Sequence, residues 1–309
     1  MKIQLLNGGL ANQVFQYVFS RCGELSDPSH ERWYLDDSSF FTGNIHNGYE
    51  LERVFGLKPR LLSETFEPDV WQEYVDMKKR GYSIPQIFLD CGENIAMYAQ
   101  TDDYQMTNPF SGHIYRMEPD GGFYPQILTL KETPIMYYHG SWVDGRWFEM
   151  YRDVFEKELQ FPEIKGMQAL AYEAMIEEAE YSVAVHIRRG DYVGLGLSLD
   201  ANYYHDALRK LSESKEKFKV FVFSDDLYWC HQHSFELGLH FVQDIEYVSG
   251  NAGAESYVDL YLMSKCDSII MANSAFSFLA ALLDKHLDIC VKPNEEVEDE
   301  EITYTPGRN

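Results

Sequence analysis

Two adjacent arginines, Arg188 and Arg189, lie between an apolar run that ends at Ile187 and the pair Gly190 and Asp191. A guanidinium group presents a planar fork of donors that matches phosphate oxygens, and it stays charged at any working pH. Gly190 lets the backbone turn or approach a ligand without a Cβ clash, and Asp191 can hold one arginine while the other meets the ligand. The pattern favours a phosphate-binding loop, with a surface Arg–Asp pair of small energetic value as the alternative.

A second candidate anion site is the start of an apolar helix that follows the strand-like residues 268–271. Asn273 and Ser274 are residue types favoured at helix N-caps, and the free N–H groups and dipole of a helix start attract anions. Ser277 falls in the first turn, where its hydroxyl could reach a phosphate. A purely structural cap is the more common role for such residues, so the sequence leaves both interpretations open.

Paired carboxylates mark the end of a third strand-like run, where Ser224, Asp225 and Asp226 follow residues 220–223. Such residues can contact a metal ion or ribose hydroxyls, or they can cap the next helix. We favour capping with a ribose or base contact. No Asp-x-Asp triplet occurs in the chain, so there is no obvious carboxylate cradle for Mg²⁺ or Mn²⁺, and a bound diphosphate would depend on arginine and a helix start.

The amino-terminal strand is followed by Gly8, Gly9, Asn12 and Gln13. Their spacing differs from G-x-G-x-x-G, so it does not predict a dinucleotide site. The two amide side chains suit a hydroxyl-rich ligand, although Asn12 could simply cap the helix that we expect to begin near it.

Two further candidates, His139 and Trp142, lie in the stretch YYHGSW. An aromatic face can stack on a sugar ring, so both residues could line a sugar site. Core packing is the more common role for such residues and remains the alternative.

Short apolar strands alternate with helical patterns throughout the second half of the chain. Strand patterns cover 182–187, 219–224, 268–272 and 287–292, and another short strand is expected at 239–243. Such alternation predicts a parallel, doubly wound α/β sheet, which binds its ligands at the carboxyl ends of the strands. The first half begins with the same strand–turn–helix pattern, but its aromatic-rich middle gives no reliable topology.

Composition excludes several classes of protein. The 309 residues carry a formal net charge of −24, which argues against nucleic acid and anionic membrane as partners. Five separated cysteines without a CxxC pair predict neither a disulfide framework nor a zinc site. No segment is apolar and long enough to span a bilayer, so we expect a soluble protein of a reducing compartment. The acidic run 295–301 is expected to be a solvated tail.

Taken together, these stretches resemble the glycosyltransferase family of bacterial and animal α1,2-fucosyltransferases, glycosyltransferase family 11. The resemblance spans most of the chain in the expected order, and five motifs together make it specific. They are GGLANQVFQY, YYHGSWVDGRWF, VAVHIRRGDYV, FVFSDD with Trp229, and DLYLMSKCDSIIMANSAFSF.

This resemblance implies a GT-B fold, in which two Rossmann-like α/β domains face a cleft. Domain 1–162 would lie on the acceptor side, and domain 163–309 would bind the donor and carry the acidic tail. The donor would be GDP-β-L-fucose, the reaction would invert the anomeric centre to an α-linkage, and no metal or other cofactor would be required. Arg188 would grip the diphosphate, Asp259 the nucleotide base and Ser277 the phosphates.

Three positions depart from the family pattern. Ala275 lacks a hydroxyl that relatives carry, and Gly145 and Gly196 stand where relatives carry a glutamate. The glutamate missing at Gly196 is a proposed base in a related α1,6 branch. The sequence therefore does not identify the catalytic base, although Asp191 or His186 could assist deprotonation.

We therefore expect an inverting galactoside α1,2-fucosyltransferase that acts on a glycan or on a surface-polysaccharide precursor such as an O-antigen. The alternatives are a fucosyltransferase of another linkage, α1,6 or protein O-fucosyl, and a nucleotide-sugar-binding protein without turnover. GDP-fucose and the galactoside acceptor are the expected partners. Because the chain starts on a strand without an anchor, we expect a bacterial cytoplasmic location with at most peripheral contact at the inner face of the membrane.

The expected site residues form three groups. The catalytic group is Arg188, Asp191 and His186. The donor-binding group is Arg189, Ser224, Asp225, Asp226, Asp259, Asn273, Ser274 and Ser277. The acceptor-side group is Gly8, Gly9, Asn12, Gln13, His139 and Trp142.

Overall fold

Two six-stranded sheets organise the chain, one in each of two units that span Met1–Gln160 and Phe161–Asn309. The computed structural model describes residues 1–29, 31–43, 46–101, 105–116, 123–293 and 303–306. None of the helices in these ranges is long and apolar enough to cross a membrane.

The sheet of the first unit combines four parallel strands with an antiparallel extension. Its strands are β1 (Lys2–Leu5), β2 (Trp33–Asp36), β3 (Ile95–Gln100), β4 (Gln105–Thr107), β5 (Ile114–Arg116) and β6 (Ile135–His139). They lie in the order β2-β1-β6-β3-β4-β5, and only the pairings of β4 are antiparallel. The carboxyl ends of β1, β2, β3 and β6 therefore share one edge.

The first unit begins with the helix that the sequence predicts after β1. Its helices are α1 (Leu10–Ser26), α2 (Leu51–Phe55), α3 (Pro68–Lys79), α4 (Ile84–Asp90), α5 (Gly145–Met150) and α6 (Arg152–Glu158). Helices α5 and α6 are separate because Tyr151 between them leaves the helical conformation, with φ −141° and ψ 44°. The Tyr151 hydroxyl instead lies 3.0 Å from that of Ser26 on α1.

The second unit has the parallel sheet that its alternating pattern predicts. Its strands are β7 (Ser182–Ile187), β8 (Lys219–Ser224), β9 (Asp244–Tyr247), β10 (Ser268–Ile270), β11 (Ile289–Lys292) and β12 (Thr303–Pro306). They lie in the order β12-β11-β10-β7-β8-β9, and only β12 is antiparallel to its neighbour. The strand predicted at 239–243 is wrong, because Leu239–Phe241 form a 3₁₀ turn and the strand follows it.

The helices of the second unit pack around a core of apolar strand residues. They are α7 (Met167–Glu178), α8 (Gly190–Leu195), α9 (Ala201–Ser214), α10 (Leu227–Gln232), α11 (Tyr257–Met263) and α12 (Ala275–Leu283). Val183, Val185, Val220 and Val222 are fully buried with residues of α9, and each such side chain contributes about 1.5–3 kcal/mol on burial. The strands are thereby fixed rigidly enough to hold the loops at their carboxyl ends.

Candidate active site

Three predicted stretches meet at the carboxyl edge of the second sheet. Strand β7 leads into Arg188 and Arg189, β8 leads into Asp225 and Asp226, and β10 leads into Ser274. Since β7 lies between β8 and β10 and all three run parallel, their following segments lie side by side. This edge is where doubly wound sheets bind ligands.

Asp225 anchors the arginine segment to the neighbouring strand. Its Oδ1 accepts hydrogen bonds from the backbone N–H groups of Arg189 at 2.9 Å and Gly190 at 3.2 Å. Its Oδ2 lies 2.7 Å from Nη1 of Arg188. A Cβ at position 190 would lie 2.7 Å from Oδ2 of Asp225, so the glycine makes room for this carboxylate. The sequence suggested neither the backbone hydrogen bonds nor the ion pair with Arg188, since Asp225 was expected to cap a helix or to contact a ribose.

Arg188 is held between two carboxylates. Besides Asp225, its Nη2 donates to Oδ1 of Asp191 at 2.6 Å. A guanidinium has five N–H donors, so these two contacts leave donors for a ligand. The Asp191 side chain is 54% exposed, and a diphosphate could therefore displace it from Arg188 without unfolding the segment.

Arg189 is held by a different set of partners. The sequence suggested that Asp191 would hold one arginine and leave the other without a protein partner, but both arginines have partners. Its guanidinium carbon lies 3.7 Å from the centre of the Trp229 ring. Trp229 in turn stacks on His233 with ring centres 4.3 Å apart, and Nε of Arg189 lies 3.6 Å from a carboxylate oxygen of Asp226. Such a cation–π contact is worth about 0.5–2 kcal/mol, which fixes the direction of the side chain.

The short helix α8 begins at Gly190, where the sequence predicted a loop. His186, two residues before Arg188 on β7, is only 7% exposed and its ring lies 5.8 Å from that of Phe276. Burial, with a smaller effect of the Arg188 charge, lowers the pKa of His186 to about 3. The imidazole is therefore neutral and a poor proton acceptor, so we correct the expectation that it assists deprotonation.

The start of α12 contains the predicted cap but not an exposed phosphate-binding hydroxyl. Ser274 accepts a hydrogen bond from the backbone N–H of Phe276 at 3.3 Å. Ser277 is fully buried, and its hydroxyl faces the carbonyl oxygens of Ala272 and Ser274 at 3.4 and 3.5 Å. The Asn273 amide donates to the carbonyl of Leu197 at 2.8 Å, which ties this helix start to the segment after α8.

Of the two carboxylates for which we favoured helix capping, Asp226 caps α10, and Ser224 supports it. The Ser224 hydroxyl accepts from the backbone N–H of Asp226 at 3.0 Å, and Oδ1 of Asp226 accepts from that of Trp229 at 3.0 Å. These bonds fix the first turn of α10. They therefore determine where Trp229 presents its ring to Arg189.

Asp259 lies on α11 and has an unusual protonation equilibrium. Burial raises the pKa of its carboxyl to about 7, although a hydrogen bond from the Asn251 amide at 2.8 Å lowers it in part. Within the described residues, no hydrogen bond or ion pair joins Asp259 to Arg188 or Arg189. At neutral pH the carboxyl is available both as a donor and as an acceptor.

Several of the acceptor-side candidates in the first unit have structural roles. Gln13 is fully buried; its amide donates to the carbonyls of Gly8 and Gly48 at 3.1 and 2.9 Å and accepts from the Glu50 N–H at 2.9 Å. Helix α1 starts at Leu10 with Gly9 as its N-cap residue. Asn12 therefore does not cap α1. Its side chain instead occupies the space beside Gly8, where a Cβ would lie 2.5 Å from Nδ2 of Asn12.

Trp142 is a core residue, which confirms the core-packing alternative and makes its assignment to the acceptor-side group wrong. The side chain is 1% exposed, and its ring stacks on Phe19 with centres 3.8 Å apart. Its indole N–H donates to Oε1 of Gln4 at 2.8 Å. His139, in contrast, is exposed at the end of β6.

Comparison with known proteins identifies the family. The family model described as glycosyl transferase family 11 matches residues 102–306. An α-1,2-colitosyltransferase of Escherichia coli is 26% identical over 304 residues, which cover 96% of this chain and 92% of the relative. The O-antigen biosynthesis glycosyltransferase WbnK of Escherichia coli is 34% identical over 132 residues, covering 40% of this chain and 42% of the relative.

Two solved structures of similar fold are crystal structures of the fucosyltransferase NodZ. The crystal structure of NodZ α-1,6-fucosyltransferase soaked with GDP-fucose has a TM-score of 0.54 at 14% identity and covers 99% of both chains. NodZ from Bradyrhizobium, in selenomethionine form, gives a TM-score of 0.56 at 15% identity with the same coverage. The expected fold class, two Rossmann-like α/β domains of the GT-B type, is thus confirmed. The chain belongs to glycosyl transferase family 11, the α1,2-fucosyltransferase family, and is a glycosyltransferase.

Proposed function

We propose that this enzyme transfers L-fucose from GDP-β-L-fucose to the 2-hydroxyl of a β-galactoside, with inversion to an α1,2-linkage. The observation that carries this proposal is the Arg188–Arg189 segment anchored by Asp225 at the carboxyl end of β7. A diphosphate leaving group needs positive charge at a fixed position. Within a chain of net charge −24, two neighbouring guanidinium groups provide that charge locally.

The main barrier to transfer is the charge that develops on the departing diphosphate. Arg188 would donate to the diphosphate oxygens through the N–H groups that Asp191 and Asp225 leave available. Arg189, stacked on Trp229, would add charge without moving. The capped start of α12 offers further N–H donors at the same edge of the sheet.

The acceptor hydroxyl must lose a proton late in the reaction. The acceptor oxygen attacks the anomeric carbon while GDP leaves from the opposite face. Because an oxocarbenium-like transition state leaves proton removal until late, a weak base is sufficient. Of the two candidates from the sequence, Asp191 is exposed whereas His186 is buried and neutral, so we assign this role to Asp191.

Colitose is a second candidate for the transferred sugar, because a full-length relative is an α-1,2-colitosyltransferase. Colitose is fucose without the 3-hydroxyl. A site that hydrogen-bonds this hydroxyl discriminates strongly against the deoxy sugar, whereas a site without such a partner accepts both. The ratio of kcat/KM for the two GDP-sugars therefore decides between them.

The test is the acceptor-dependent release of GDP from GDP-fucose, followed by linkage analysis of the product by NMR. With lactose as the acceptor, we expect GDP release that depends on lactose and a product with the α1,2-linkage. Binding of GDP-fucose without acceptor-dependent release would instead indicate a nucleotide-sugar-binding protein. An α1,6-linked product would show that the enzyme is a fucosyltransferase of a different linkage.

For the biological acceptor, we propose an O-antigen or related surface-polysaccharide precursor made on the cytoplasmic side of a bacterial membrane. The similarity to WbnK, an O-antigen biosynthesis glycosyltransferase, supports this setting. Transfer to an isolated precursor oligosaccharide with a kcat/KM above that for lactose would support it further.

A further inference from the structure

The carboxyl edge of the first sheet carries polar side chains that the proposed donor site does not use. Strand β2 ends on Asp36 and β6 ends on His139, with β1 between them in the sheet. These strands are parallel, so both ends lie at one edge. Lys78, in the last turn of α3, reaches the segment that follows β2.

Lys78 is held on two serine hydroxyls. Its Nζ donates to Oγ of Ser38 at 2.6 Å and to Oγ of Ser39 at 3.2 Å. An ammonium group has three donors, so one remains after these bonds. Partial burial lowers the pKa of Lys78, and this effect outweighs the opposing charges of Asp36 and Asp37.

The two carboxylates beneath Lys78 are satisfied within the protein. Buried Asp36 accepts from the Tyr137 hydroxyl at 2.6 Å and from the Ser38 N–H at 2.9 Å. Buried Asp37 accepts from the N–H and hydroxyl of Ser63 at 3.1 and 2.6 Å. The oxygens of both carboxylates are therefore occupied within the protein, whereas Lys78 keeps one N–H donor.

The charges of Lys78 and Asp36 both act on His139. Although His139 is exposed to solvent on one side, partial burial of its ring and the Lys78 charge lower its pKa, and Asp36 raises it less. A neutral imidazole has one donor and one acceptor nitrogen. Two buried carboxylates oppose the Lys78 charge at this edge. A neutral ligand with neighbouring hydroxyls matches this set of donors and acceptors.

We propose that Lys78 and His139 bind hydroxyl groups of the acceptor galactoside. This proposal rests on the proposed function and assigns the second substrate to residues that the sequence patterns did not select as a pair. Lys78 would donate one hydrogen bond to a sugar oxygen, while His139 would donate one and accept one. Ser38 and Ser39 act as positioning residues because they hold the ammonium group.

The test uses the full-length chain and the variants Lys78→Met and His139→Ala, with Lys79→Met as the matched control. Lys79 is the exposed neighbour on the same helix, and its Nζ lies 3.6 Å from a carboxylate oxygen of Asp76. Each site variant should raise the KM for lactose by about tenfold or more, the scale of one hydrogen bond to a charged or well-oriented group. The KM for GDP-fucose, the slow hydrolysis of GDP-fucose without acceptor, and the Lys79→Met kinetics should not change.

An unchanged KM for lactose in both site variants would overturn the proposal. So would a rise in the KM for GDP-fucose equal to that for lactose, since it would show a general structural effect. If Lys78→Met fails to fold, His139→Gln provides the test, because that side chain is exposed and its replacement leaves the core intact.

Failure of the proposed function gives a different result. If the wild-type chain neither transfers nor hydrolyses any GDP-sugar, lactose binding is measured by saturation-transfer NMR. A lactose signal that is present in the wild type and in Lys79→Met but lost in Lys78→Met would still support the subsite. Equal signals in all three would refute it.

Discussion

Arg188 and Arg189 are neighbours in the chain, yet the structure gives them different tasks. Arg188 lies between Asp191 and Asp225 and keeps donors for a ligand, whereas Arg189 is stacked on Trp229. Charge-assisted hydrogen bonds need fixed geometry to favour the transition state over the ground state. The acidic partners therefore orient the guanidinium groups that we propose to hold the leaving diphosphate.

Removing the Arg188 side chain should affect turnover far more than stability. We expect Arg188→Ala to reduce kcat/KM by about 10²–10³-fold, the scale for the loss of one charge-stabilising donor. Arg209→Ala removes an exposed arginine on α9 that pairs with Glu213 and should leave kcat/KM unchanged. Near-normal turnover of Arg188→Ala would remove the role that we give it.

Replacement of Gly190 tests whether Asp225 anchors the arginine segment, and Gly194 on the same helix provides a matched control. Alanine at 190 places a Cβ 2.7 Å from the Asp225 carboxylate, whereas nothing lies within 4 Å of a Cβ at 194. We expect Gly190→Ala to raise the KM for GDP-fucose about tenfold or more and to cost about 1–3 kcal/mol of stability. Gly194→Ala should be neutral or stabilising by about 0.5–1 kcal/mol. Equal kinetics of both variants would contradict the anchoring role.

Replacement of Trp142 distinguishes a core role of this residue from a sugar-binding role. Because its ring is buried against Phe19 and its indole N–H is bonded to Gln4, Trp142→Ala should lower the unfolding free energy by about 3–5 kcal/mol. Denaturant unfolding measures this loss. A stable variant with only a raised KM for the acceptor would restore the sugar-site interpretation.

At the scale of elements, the second unit was predictable because its signals are local. Each of its central strands is a short apolar run, and turn residues mark each carboxyl end. The error at 239–243 has a physical cause: β9 is an edge strand with the polar sequence Asp244–Tyr247, so the more apolar turn before it gave the stronger strand signal.

The first unit and the contacts of the site were less predictable because they depend on long-range pairing. The aromatic cluster of Phe19, Trp33 and Tyr138 joins α1, β2 and β6, and no local pattern shows which rings will meet. Asp225 likewise bonds to a backbone about 35 residues before it. The sequence located the loops, but only the strand order shows which carboxylate holds which arginine.

The buried carboxyl group of Asp284, at the carboxyl end of α12, should make the free energy of unfolding depend on pH. Asp284 follows this helix, one of its carboxyl oxygens is buried without a partner among the described residues, and burial raises its pKa to about 7. The folded chain therefore keeps a proton that the unfolded chain releases near pH 3.8. Since the unfolded state then binds fewer protons, the unfolding free energy should fall as pH rises from about 4 to about 7 and level off above it.

The Asp284→Asn variant should show a smaller fall of the unfolding free energy with pH. Part of the fall should remain in this variant, because the pKa of Asp259 is also raised to about 7. Urea unfolding between about pH 5 and pH 8 measures both slopes. Identical slopes for the wild type and Asp284→Asn would show that the carboxyl is ionised in the folded chain.

At the scale of the whole molecule, negative charge dominates, and cationic side chains near the candidate site are matched by acidic ones. With a net charge of −24, we expect no co-sedimentation with phosphatidylglycerol vesicles at about physiological ionic strength. Vesicles of phosphatidylcholine serve as the control. Binding to the anionic vesicles alone would reveal a basic surface that the net charge conceals.

The central claim is that the Asp225-anchored arginine segment holds the leaving diphosphate. A crystal structure of the enzyme with GDP tests it most directly. We predict diphosphate oxygens within about 2.7–2.9 Å of the Arg188 guanidinium nitrogens, with Asp225 still bonded to the backbone of Arg189 and Gly190. GDP bound elsewhere, with Arg188 still closed on Asp191 and Asp225, would contradict the account.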